Sequence, residues 1–153
     1  MADKNTKKRK STDVWADKEY VMATVKNNGF VLACACEELK GDKDVVLAAV
    51  KQNGLILRCA SKQMQGDKEV VMAAVQNKGY SLEYASEELQ KDKEVVIAAV
   101  QNNGFALQCV CEELKRDKEV VMAAVKNNVS VLEYVSDDMR SDKDVVMATV
   151  QKQ

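Results

Sequence analysis

With 153 residues, 46% hydrophobic and 31% charged, the chain has enough apolar material for a core and too much for a disordered polymer. The net charge is −1, split into +4 over residues 1–10 and −5 over the rest, so the body does not look like a polyanion binder. No apolar stretch reaches the roughly 18 residues of a membrane span, and no signal-peptide core opens the chain. Five cysteines without a secretory signal point to reduced thiols in a cytoplasmic or nuclear setting.

Residues 1–10 read as a disordered basic tail. Lys7, Lys8, Arg9 and Lys10 form a cluster that fits a nuclear localisation signal or a nucleic-acid contact, with a solubilising tail as the plain alternative. Order is predicted to begin near Ser11. Residues 11–16 align with 86–91 and place Val14 where Leu89 stands, which makes 11–16 a partial unit.

From there an Asp-Lys-Asp/Glu triplet recurs every 25 residues, at Asp17, Asp42, Asp67, Asp92, Asp117 and Asp142. A fixed period of this size is the signature of a stacked repeat array. It divides 11–153 into full units 17–41, 42–66, 67–91, 92–116 and 117–141, and a partial unit 142–153.

The unit 67–91 shows the grammar. Asp67 suits a helix N-cap, and Glu69 adds negative charge where the helix dipole favours it. Val70 to Val75 is apolar throughout, as in a segment sandwiched between neighbours. Such a run can be a buried strand, but Ala73 and Ala74 and the flanking cap signals favour helix. Gly79 is expected to end this helix in the left-handed conformation. Tyr80, Leu82 and Ala85 form the apolar set of a second short helix, which is expected to break at Ser86, a new N-cap ahead of Glu87 and Glu88. In the fifth unit Val129 occupies the glycine position, and a β-branched residue tolerates positive φ poorly. The helix end there is therefore expected to be remodelled.

Cys34-x-Cys36 and Cys109-x-Cys111 resemble metal or redox motifs. On a helix, however, residues two apart face different directions. In register, Cys34, Cys59 and Cys109 share a position with Tyr84 and Tyr134, while Cys36 and Cys111 share one with Ser61, Ser86 and Ser136. Packed helices stand about 9–10 Å apart, beyond the roughly 7 Å a disulfide tolerates. These cysteines read as structural, and no metal or cofactor is expected. The lysines following each triplet Asp read as a solvated face with weak ion pairs. Asn27, Asn53, Asn77, Asn102 and Asn127 read as helix terminators, because they vary too little to form a base-reading code. No histidine and no phosphate-cradling loop is present, and no catalytic residue is expected.

The unit D-K-E-V-V-x-A-A-V-x-N-N-G-x-x-L-x-x-A-S-E-E-L resembles the repeats of the domain-of-unknown-function family numbered 4116. Asp92 to Leu114 carries it almost whole, with Val110 and Cys111 in place of Ala-Ser. The resemblance spans about residues 11–150. It implies tandem short helical repeats, and no catalytic residue is carried over with it.

The residues thus predict an all-α solenoid of stacked short helical hairpins with a 25-residue period, and room for a third short helical turn in each unit. The functional expectation is a non-enzymatic scaffold for a protein partner. Its candidate contacts are the positions that vary between units: Arg58, Glu83, Gln108 and Glu133, with Lys91 and Arg116. The alternatives are a nuclear or nucleic-acid-associated role for residues 1–10 and self-association through the last helix, where Val145, Val146, Met147 and Val150 lack a covering second helix.

Overall fold

The computed structural model describes residues 14–152, without the side chain of Lys152. The basic tail and the predicted order boundary at Ser11 lie outside the described residues. Within them the chain is a stack of repeated helical units, and no strand occurs.

Each full unit has three parts. A long helix comes first: Lys18–Val25, Lys43–Gln52, Lys68–Asn77, Lys93–Asn102, Lys118–Asn127 and, in the sixth unit, Lys143–Lys152. A six-residue 3-10 helix follows: Gly29–Cys34, Gly54–Cys59, Gly79–Tyr84, Gly104–Cys109 and Val129–Tyr134. A four-residue α-helix closes the unit at Glu37–Lys40, Lys62–Gln65, Glu87–Gln90 and Asp137–Arg140, and in the fourth unit a 3-10 turn, Leu114–Arg116, replaces it. The expected break at the Ser86 position is present. Ser86 Oγ accepts a hydrogen bond from the Leu89 N–H at 3.4 Å.

The long helices start where the triplet places them. The Asp92 carboxylate accepts from the amides of Glu94 and Val95 at 3.0 and 3.2 Å, closing donors that a helix start leaves open. Val70, Val71, Ala74 and Val75 are all completely buried, as are their counterparts Val95, Val96, Ala99 and Val100. Leu32, Leu57, Leu82 and Leu107 of the 3-10 helices fill the same core. Full burial of a Val or Leu stabilises by about 1.5–3 kcal/mol. Helices of ten residues or fewer are marginal alone, so this shared core supplies what they lack. In the sixth unit Val146, Met147 and Val150 are exposed, although Val121 and Val125 at the first and last of these positions in the fifth unit are buried.

The glycines require a correction. Among the described residues none has positive φ, glycine or otherwise. The long helix ends at an extended residue, such as Asn103 at φ −147° and ψ 107°, whose side chain also caps the following 3-10 helix by accepting from the Phe105 amide. Glycine then opens the 3-10 helix because the next unit comes too close for a side chain. A Cβ on Gly104 would lie 2.7 Å from the carbonyl oxygen of Ala124, and one on Gly79 would run into that of Ala99.

The expected remodelling at Val129 is likewise absent. The long helix and the 3-10 helix of the fifth unit, Lys118–Asn127 and Val129–Tyr134, keep the register of Lys93–Asn102 and Gly104–Cys109, because this position never demanded the left-handed conformation.

Close approach also brings the units into hydrogen-bond reach. Asn77 Oδ1 accepts the Gly54 N–H at 2.8 Å, and Asn102 and Asn127 accept those of Gly79 and Gly104 at 2.7 Å each. The same amides donate back through Nδ2: Asn102 to Gln76 O at 2.8 Å, Asn127 to Gln101 O at 3.0 Å. These asparagines join successive units, a role beyond the helix termination expected of them. Farther along each unit, the Ser61 and Ser86 amides donate to the carbonyls of Lys40 and Gln65 in the preceding unit, both at 2.9 Å.

Gly79→Ala is predicted to destabilise the protein by about 1–3 kcal/mol through overpacking against Ala99. Urea unfolding measures this, and an unchanged midpoint would contradict the close approach.

Candidate functional site

Two lateral faces carry the exposed chemistry. The first is built from the 3-10 helices. Arg58, Glu83, Gln108 and Glu133 occupy the fifth position of successive 3-10 helices and are all exposed. Arg58 and Glu83 line one groove of about 560 Å³, together with Lys62, Tyr84 and Glu87. Glu83 beside Tyr84 pushes the phenol above its ordinary value, and partial burial adds to the effect. Lys91 and Arg116 are exposed in the turns before the fourth and fifth long helices and do not line this groove. Lys7, Lys8, Arg9 and Lys10 lie outside the described residues.

Sequence reading missed what holds this face in shape. Gln65 is buried and donates through Nε2 to the carbonyl oxygens of Leu57 at 3.1 Å and Arg58 at 3.4 Å. Gln90 donates to those of Glu83 and Ala85, and Arg140 Nε to that of Val135. A long side chain with an N–H donor thus satisfies carbonyls at the end of the second, third and fifth 3-10 helices, whereas Lys40 and Lys115 at this position donate to Glu37 and Glu112. The recurring signal was present as Gln65, Gln90 and Arg140, 25 residues apart or a multiple of it. Its meaning depended on the 3-10 geometry.

The second face is built from the long helices. The first five triplet lysines reach the next unit rather than their own flanking acids. Lys68 meets Asp92 at 2.9 Å and Glu94 at 2.7 Å, and Lys93 meets Asp117 at 2.9 Å and Glu119 at 2.8 Å. Lys18, Lys43 and Lys118 repeat the pattern on Asp42 with Asp44, Asp67 with Glu69, and Asp142 with Asp144. The lysines remain 41–49% exposed, so each rung is largely screened by solvent. The second carboxylate of each rung is exposed as well.

The five cysteines are free thiols. Cys34 is exposed and the others are partly buried. Burial, and then the charge of Glu83, pushes the Cys109 thiol above its ordinary value, away from the reactive thiolate. Among the described residues no helix is long and apolar enough to cross a membrane.

This periodic geometry coincides with a family. The model of the family described as Domain of unknown function (DUF4116) matches residues 17–65, 67–115 and 117–153, and the chain belongs to that family. The first two matches each cover a pair of 25-residue units, so the family's own repeat is about twice the structural one. No curated protein and no solved structure matches the chain.

The ladder makes a pH prediction. The ammonium of Lys68, with the Val95 amide, holds the Asp92 carboxyl below its ordinary value of 3.8 against the opposing effect of burial. A lowered folded pKa contributes stability that is full above 3.8 and is lost as pH falls through the folded value. The carboxylates of Glu94 and Asp92 hold Lys68 above 10.5, so its contribution is full below 10.5 and is lost as pH rises through the folded value. Chemical unfolding across pH is therefore expected to lose stability in acid. Lys68→Met returns Asp92 toward 3.8 and makes that acid loss smaller. Identical acid limbs in the two proteins would contradict a working rung.

Proposed function

We propose that the chain is a non-enzymatic helical-repeat scaffold for protein–protein interaction. The observation that carries this reading is the division of labour among repeat positions. The buried positions of the long helices are nearly invariant from unit to unit, whereas one exposed position carries Arg58, Glu83, Gln108 and Glu133, three chemistries over four units. The repeated long-helix core fixes the spacing of these side chains, and variation among them lets an extended surface discriminate between partners. Arg58 and Glu83 already share a groove, with opposite charges facing the same space.

Affinity capture from a lysate, with the native chain and with a variant carrying Arg58→Glu, Glu83→Lys, Lys91→Glu and Arg116→Glu, tests the reading. Specific partners are expected for the native chain and are expected to be lost from the charge-reversed one. A native chain that captures nothing, at a melting temperature showing it folded, would overturn the scaffold reading.

A further inference from the structure

The long-helix face carries an apolar stripe that neither the cap grammar nor the core requires. Met22, Leu47, Met72, Ile97, Met122 and Met147 stand 25 residues apart, one per long helix. The first five pack partly against the core, and Met147 is 48% exposed. Grooves of about 540, 600 and 600 Å³ open over this stripe between the first and second, third and fourth, and fifth and sixth units. Their floors are Met22 with Leu47, Met72 with Ile97, and Met122 with Met147. Repeated partly exposed apolar side chains on an otherwise charged surface mark a contact site. Methionine suits such a site because its flexible thioether adapts to the side chain it meets.

Charge distinguishes the grooves. The two outer ones have lysines on the wall away from the ladder: Lys26 and Lys51 at one end, Lys126 at the other. The central groove has Gln76 and Gln101 there instead. Its charged wall holds Glu94 and Glu119, and its single lysine, Lys93, is already engaged by Asp117 and Glu119. Every rung sets one ammonium against two carboxylates, which leaves this wall with an excess of negative charge.

We infer that the central groove binds a basic amphipathic segment of a protein partner. An apolar side chain of that segment seats over Met72, Ile97 and Ala98, and its Lys or Arg side chains reach Glu94 and Glu119. Lys26 and Lys51 of the first groove repel the same segment and so favour the central groove. This inference rests on the scaffold reading and adds a second contact face, distinct from the Arg58–Glu83 groove, with the chemistry of the segment it takes.

Fluorescence anisotropy with two labelled probes tests it. One is an amphipathic Leu/Lys helix of about 15 residues, and the other is the same pattern with Glu in place of Lys. The Leu/Lys probe is expected to bind the full chain, more weakly as salt rises, and the Leu/Glu probe is not. Glu94→Gln with Glu119→Gln is expected to weaken binding by about tenfold, while Arg58→Glu with Glu83→Lys on the other face leaves it unchanged. Met72→Gln, which removes no ladder charge, is expected to weaken it as well, with circular dichroism confirming the fold of each variant. Equal binding of both probes, or no loss in the Glu94/Glu119 variant, would overturn the inference. Lysate partners that all survive the Glu94/Glu119 change would also overturn it, while leaving the scaffold reading intact. A chain that binds the Leu/Lys probe as predicted but captures no protein would sink the scaffold reading instead.

Discussion

The stack depends on how closely one unit can approach the next. At Gly54, Gly79 and Gly104 the following unit presents a backbone carbonyl where a side chain would begin. That approach buries the glycine N–H groups, and a buried donor without a partner costs about 1–3 kcal/mol. The asparagine that ends the following unit's long helix supplies the acceptor and donates its own N–H₂ to a carbonyl of the preceding unit. Glycine and asparagine are thus one device, split across two units. At these three junctions a Cβ would hold the units apart, and a missing amide would leave the donor stranded.

The more conspicuous inter-unit feature, the lysine ladder, is of a different kind. Its rungs are about half exposed and screened. Its Asp members do their firmer work as helix caps, and their pairing with lysine comes second. The ladder matters more for what it leaves on the surface. One ammonium against two carboxylates per rung gives the long-helix face an acidic margin beside a partly exposed apolar stripe. The 3-10 face, by contrast, carries side chains whose charge changes sign from Arg58 to Glu83. A framework this regular separates stability from recognition: the long-helix core repeats, and the exposed position of Arg58 and Glu83 is free to differ.

Much of this was legible in the residues. The 25-residue period, the Asp caps, the sandwiched Val-Ala runs and the break at Ser86 follow from local rules that act within one unit. What was not legible depends on contact between units. Gly79 after an Asn-rich helix end reads as a left-handed terminator, and only the nearness of Ala99 reveals a steric role. The same error produced the expected remodelling at Val129. Asn102 reads as a helix terminator because its acceptor bond spans 23 residues. Lys93 is flanked by two acids in sequence, yet its partners lie in the next unit. Of the candidate contacts, Arg58 and Glu83 do share a groove, while the apolar stripe went unnoticed because Met72 and Ile97 sit inside runs that read as pure core.

The claim that inter-unit amide pairing holds the stack together is tested most directly by native-state hydrogen exchange at the Gly54, Gly79 and Gly104 amides. The account predicts that all three exchange only as slowly as the fully buried amides of the long helices, through global unfolding. Exchange at these three glycines as fast as in the exposed turns would contradict it.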